Sequence, residues 1–299
     1  MAAEKTSAHR WLPQIATAAL LSAAAVAAAS PAAAVAGASR AATARHSPAA
    51  ISAHHPPGYQ IIARSAGAPP GAFDSGTFAT CPAGTVVWGG GVEFSGSADA
   101  SLTVNTSNPN GSGGWAARVN NTGTTNAQFE VDAICANKPK GYKIVSQMAD
   151  NPPGTQSHST ATCPSGDTLL GGGTLSTADQ VAAILTSAWP RSSAKFTGYM
   201  YNGTTSDANF IVYAICGHKP AGYKIVSESG PIGPGATLEE GIGCPTGTSA
   251  LGGGAQALDH VPAVQVSGSI DQGPSGWSIA LNNTGQSADQ VDGYVICAA

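Results

Sequence analysis

Six cysteines and a short cluster of tyrosines are the residues of this sequence best suited to chemistry. Cys81, Cys135, Cys163, Cys216, Cys244 and Cys297 fall as three pairs separated by 54, 53 and 53 residues. Thiols spaced so widely and so regularly suit oxidation to disulfides, whereas a zinc site needs ligands clustered at short spacing. Six cysteines allow fifteen connectivities. Repetition favours the one each copy makes alone, Cys81–Cys135, Cys163–Cys216 and Cys244–Cys297, with bridges between copies as the rival. Each bridge would close a loop worth about 4 kcal/mol on the chain-entropy account.

Tyr199, Tyr201 and Tyr213 are the candidate binding residues, with Asn202 in the adjoining turn. They sit at the polar-side parity of two segments that alternate with a period of two, so they face outward or pack against another element. Aromatic faces beside amides suit sugar rings, which present apolar C–H surfaces and hydroxyls together. The competing reading, and the more ordinary one, is that these tyrosines pack at a contact between repeats or stiffen the sheet. Acid–base chemistry finds less support. His158, His218 and His260 fall at three different places in the repeating pattern, and Asp99, Asp167, Asp179, Asp259 and Asp271 do not recur as a set. Ser165-Gly166-Asp167 belongs to a turn, and the adjacent Glu239 and Glu240 read as a solvated loop. No residue is therefore assigned a catalytic or metal-ligating role, and no cofactor motif is present.

The elements that position these residues are three copies of one unit with a period of 81 to 82 residues. Each copy opens with an aromatic extended stretch, YQIIARS at Tyr59, YKIVSQ at Tyr142 and YKIVSE at Tyr223. A Cys-Pro turn and a glycine triplet follow, CPAGTVVWGGG, CPSGDTLLGGG and CPTGTSALGGG, and each copy closes on an apolar strand ending at Cys135, Cys216 or Cys297. Phe129, Val131, Ala133 and Cys135 alternate with polar neighbours, as do Phe210, Val212, Ala214 and Cys216. One strand upstream the inner faces begin with Trp115, Phe196 and Trp277. Read as hairpins, the last two strands of each copy would oppose Arg118 with Asp132, Tyr199 with Tyr213 and Ala280 with Tyr294.

The Cys-Pro-x-Gly turn, the Gly-Gly-Gly strand and the terminal Ala-Ile-Cys resemble a group of secreted actinobacterial three-repeat proteins and tail-like adhesive modules, over Tyr59 to Ala299. That resemblance implies a scaffold and supplies no activity. Three β repeats with cysteines are also distantly similar to the vitelline membrane outer layer protein, which implies a β-prism about a pseudo-threefold axis. The expected fold is all-β, with three pseudo-threefold repeats and one disulfide each; three tandem β-sandwiches are the alternative. The glycine triplets fit places where backbones approach too closely for a side chain.

The first 36 residues read as a secretory leader: Lys5 and Arg10, an apolar stretch from Ile15 to Ala29, then a small-residue run. Residues 37–58, rich in Ala, Ser, Pro and His, read as a flexible linker. Repeats then span 59–140, 141–221 and 222–299. The apolar stretch is shorter than the roughly 20 residues needed to span a bilayer. The full chain carries a charge of −4, and 10% of its residues are charged. With no basic run, this argues against nucleic acid as a partner. These features point to a secreted, non-enzymatic protein acting through its surface at the cell envelope or outside it, with a cell-wall or extracellular glycan as the candidate partner. A secreted hydrolase with a single active repeat is the alternative.

Overall fold

A computed structural model describes residues 55–96, 99–177 and 182–299. The expected leader and most of the expected linker lie outside them. The linker's last four residues, 55–58, are docked: Pro57 O accepts from Asn137 N at 2.8 Å, and Pro56 is buried.

Each repeat supplies six strands. The first gives β1 (Gln60–Ala68), β2 (Ser75–Thr80), β3 (Thr85–Phe94), β4 (Leu102–Pro109), β5 (Gly114–Asn121) and β6 (Ala127–Asn137). The second gives β7 (Lys143–Asn151), β8 (Thr155–Thr162), β9 (Thr168–Ser176), β10 (Ala183–Ser192), β11 (Lys195–Asn202) and β12 (Ala208–Gly217). The third gives β13 (Lys224–Ile232), β14 (Thr237–Gly243), β15 (Ser249–Ala257), β16 (Val264–Asp271), β17 (Gly276–Asn283) and β18 (Asp289–Ala298). The described residues contain no helix, and hence none long and apolar enough to cross a membrane.

The strands form three six-stranded antiparallel sheets, and every sheet is shared between two repeats. Sheet A runs β1-β6-β3-β16-β17-β14, sheet B β2-β5-β4-β9-β12-β7 and sheet C β13-β18-β15-β10-β11-β8. Half of each repeat thus continues the half-sheet of a neighbour. The seams fall at Val92 opposite Ser269, Ser107 opposite Thr174 and Ala188 opposite Ala255. Because the first seam joins repeat one to repeat three, the ring is closed. This arrangement is β-prism-like and excludes tandem sandwiches, in which each repeat would keep its strands to itself.

The core follows from strand alternation. Phe129, Val131, Ala133 and Cys135 are fully buried, as are Phe210, Val212, Ala214 and Cys216, while Trp115, Phe196 and Trp277 are each 1% exposed. The middle glycine of each triplet lies under one of those aromatic rings: a Cβ on Gly90, Gly172 or Gly253 would collide with Trp115, Phe196 or Trp277. The first glycines, Gly89, Gly171 and Gly252, meet one another's backbones near the pseudo-threefold axis. At the third, a Cβ on Gly91, Gly173 or Gly254 would strike the carbonyl of Ser269, Ser107 or Ala188 across a seam. All of these glycines except Gly252, whose nearest neighbours lie at ordinary contact distance, therefore mark a close approach that any side chain would obstruct.

The cysteines pair within repeats, Cys81–Cys135, Cys163–Cys216 and Cys244–Cys297, which removes the inter-copy rival. The first member of each pair follows β2, β8 or β14 and the second lies in β6, β12 or β18. The bridges consequently tie sheet B to A, C to B and A to C. Opening tyrosines lock repeats together as well: Tyr59 O–H donates to Ala250 O and Tyr142 O–H to Val87 O, both at 2.8 Å.

The expected hairpins between the last two strands do not form. β5 and β6, like β11 and β12 and like β17 and β18, lie in different sheets. Arg118 is opposite Gly76 and Thr106, and Asp132 is opposite Ala63 and Gly91; Tyr199 and Tyr213 are not cross-strand partners, nor are Ala280 and Tyr294. The turn between these strands carries the chain from one sheet to the next. Glu239 and Glu240 lie in β14 and not in a loop.

Candidate functional site

The outer face of sheet C gathers aromatic rings from three strands and one connection. Tyr199 in β11 is directly opposite His158 in β8, and antiparallel partners hold their side chains within stacking reach. Their ring centroids are 4.9 Å apart with planes 17° from parallel. His260, from the connection between β15 and β16, stacks on Tyr199 at 4.3 Å and 4°. Trp189 in β10 completes the cluster, 5.6 Å from Tyr199 and 6.2 Å from His260. The site straddles a seam, with three rings from repeat two and one from repeat three.

Exposure differs across the cluster. His158 is exposed, Tyr199 and His260 are half-buried, and Trp189 is 4% exposed. Leu258 and Val261, which flank His260, are 40% and 39% exposed and extend the apolar surface. His260 has a φ of +48°, in the left-handed region seldom taken by residues other than glycine. Its Nδ1 is buried without a partner. Burial holds the His260 imidazole below the usual histidine range; the carboxylates of Asp289 and Asp259 oppose that effect, while His158 and Arg191 reinforce it.

The other candidate binding residues separate. Tyr201 shares the outer face with Tyr199, opposite Gln156 and Ile184, and is half-buried. Gln156 Nε2 donates to Thr186 Oγ1 at 3.0 Å beside it. Tyr213 lies on sheet B, opposite Ser146 and Gly173, with its phenol pKa raised by burial. Asn202 is fully buried: Nδ2 donates to Asn151 O at 2.7 Å and Ser206 O at 2.9 Å, and Oδ1 accepts from Thr204 N at 3.0 Å. Asn121 and Asn283 make the equivalent bonds in their own repeats. Asn202 clamps a turn and has no free donor for a ligand.

A second polar cluster lies at the seam of sheet A. Asp132 in β6 and Asp271 at the end of β16 are 5% and 8% exposed, and each carboxyl feels the other's charge. Burial raises both carboxyl pKa values; the charge of Asp271, then Glu130 and Glu93, raises Asp132 further, whereas accepting from Gly273 N partly relieves Asp271. Two buried carboxyls that raise each other's proton affinity do not readily ionise together, so this pair suits proton sharing. Among the described residues no group of three or more His, Cys, Asp or Glu side chains is placed to hold a metal ion. An axial cavity of about 20 Å³ among Gly90, Gly172 and Gly253 has room for about one water.

Trp189, His158, His260 and the Asp132–Asp271 pair were not singled out by sequence pattern as sites. For Trp189 the strand parity of β10 was a usable signal. For His260 and the Asp132–Asp271 pair there was none, because their partners come from different repeats; for His158 there was none because β8 pairs with β11 only once the sheets are known. No protein-family model matches this chain, and no curated protein matches it.

Proposed function

We propose that this protein is a secreted, non-catalytic binding module whose working surface is the outer face of sheet C, and that its ligand is a cell-wall or extracellular glycan. The observation that carries this reading is the gathering of His158, Tyr199, Trp189 and Tyr201 on one face of the sheet, with His260 stacked on Tyr199. Aromatic side chains gathered on one sheet face offer apolar surface to the C–H groups of a sugar, and the imidazole and phenol polar atoms offer hydrogen bonds to its hydroxyls. The ring of sheets, cross-tied by three disulfides, suits an oxidising compartment and holds the platform rigid, so little ordering entropy is lost on binding. The scarcity of positive charge disfavours polyanionic ligands.

The test is binding of the mature, oxidised protein to purified peptidoglycan and to a panel of soluble glycans. Tyr199→Ala should weaken binding about tenfold, the effect of losing one stacked aromatic contact. Tyr213→Ala, on sheet B, should leave it unchanged. Equal affinity of wild type and Tyr199→Ala for every glycan bound would remove the assignment.

A further inference from the structure

The His260 ring stands against both Tyr199 and Trp189, the largest ring of the cluster. Trp189 lies on the outer face of sheet C, where a tryptophan would ordinarily contact solvent, yet it is only 4% exposed, with His260 against it. His260 reaches this position on a connection whose backbone takes a φ of +48° there, and its Nδ1 is buried with no partner. Backbone strain and an unsatisfied buried nitrogen both count against the closed arrangement, which is held instead by stacking on Tyr199. Such a contact is poised to open.

We propose that His260 is a proton-operated cover: neutral, it closes over Trp189 and Tyr199; protonated, it leaves them and opens the ring platform to a ligand. The inference rests on the sheet-C binding reading for its purpose, but the movement itself is a property of the unliganded protein.

The direction follows from what surrounds the imidazole. On its own connection stands Asp259, from β18 comes Asp289, from β10 Arg191 and from β8 His158. The two carboxylates favour the cation where it is; Arg191, a protonated His158 and above all burial against Trp189 and Tyr199 disfavour it. The net effect lowers the imidazole's proton affinity in the closed state, so the closed state binds fewer protons than an open one in which His260 is solvated. Acidification through the histidine range must then shift the population toward opening. Leu258 and Val261, already exposed on either side of His260, would move with it.

Acrylamide quenching of the Trp189 emission tests the cover directly, using Trp189→Phe to subtract the signal of the other tryptophans. In the free, oxidised protein the Trp189 quenching constant should rise about threefold between about pH 7.5 and about pH 5, as the closed population is lost. In His260→Ala it should be high at both values. Proton NMR of the His260 ring supplies a readout that needs no variant: its ring-current-shifted resonances should move to ordinary positions on protonation. Quenching that is independent of pH in the wild type, or resonances that titrate while remaining shifted, would overturn the proposal. Binding of purified peptidoglycan is measured separately on His260→Ala. Opening on acidification with no capture by the uncovered variant would leave the cover intact and count against the glycan reading alone.

Discussion

The three glycines nearest the axis are equivalent by repeat, but their surroundings differ enough to predict different outcomes for the same substitution. A Cβ on Gly89 would overlap the carbonyl oxygen of Leu251, with Leu251 C at 3.0 Å and Gly252 Cα at 3.2 Å behind it. On Gly171 it would overlap Trp88 O, with Gly89 Cα at 3.0 Å. On Gly252 the nearest atoms are Gly171 Cα at 3.4 Å, Leu170 O at 3.7 Å and Gly89 Cα at 3.9 Å, which is ordinary contact. Backbone atoms cannot rotate away as a side chain can, and each of these strands is held by the next around the ring. Gly89→Ala and Gly171→Ala should therefore each cost about 3 kcal/mol, at the upper end of overpacking penalties. For a folded unit of this size that corresponds to a fall in melting temperature of roughly 10 °C. Gly252→Ala should be neutral or stabilising by up to about 1 kcal/mol, because alanine restricts the unfolded chain and meets no obstruction in the folded one. Denaturant and thermal unfolding of the three oxidised variants measures all of this. The reasoning fails if Gly252→Ala is as damaging as Gly89→Ala, or if Gly89→Ala is tolerated.

Three further outcomes follow from the same structure. Replacing Cys81 and Cys135 by Ser should lower unfolding free energy by about 4 kcal/mol and raise hydrogen exchange at the corner where sheets A and B meet. Asn121→Ala, Asn202→Ala and Asn283→Ala should each cost about 2 kcal/mol by leaving buried backbone groups unpaired, and a loss confined to one of the three on chemical denaturation would contradict their shared turn-clamping role. The Asp132–Asp271 pair has raised pKa values, so the native state retains a proton that the unfolded chain releases; unfolding free energy should fall as pH rises from about 6.5 to about 8, and Asp132→Asn should flatten that slope. A wild-type stability that rises over this interval would show that the carboxyls do not share a proton.

Much of the fold was legible because the constraints behind it are local and repeated. The inner faces of β6 and β12, the intra-repeat cysteine pairing and the obstruction marked by each glycine triplet are all written into every copy. Strand partners were not. An Asn-Gly-Thr turn between two alternating segments reads as a hairpin by every local rule, and here it turns a prism corner from one sheet to another. What decides between the two is whether Trp115 packs over Gly90 of the adjoining sheet, a contact between distant segments. The role of Asn202 was missed for a related reason: its bonds with Ser206 O and Thr204 N are local, but its third partner is Asn151 O from β7.

The candidate site was hidden by the comparison that revealed the fold. Aligning repeats selects for sameness, and the ring is held by what is the same: axial glycines, seam contacts, bridges and clamping asparagines. The outer faces are where the copies diverge. At the position of Tyr199 stand Arg118 and Ala280; at that of His158, Gly76 and Glu239; at that of Trp189, Asn108 and Ile270. A platform built across one seam from two repeats cannot recur in a copy-by-copy comparison unless all three seams carry it. Failure of the histidines to repeat therefore argues against a triplicated site and leaves a single one at a seam untouched. The symmetric scaffold supplies three faces of equal rigidity, and the chemistry that distinguishes them lies in the residues that break the symmetry.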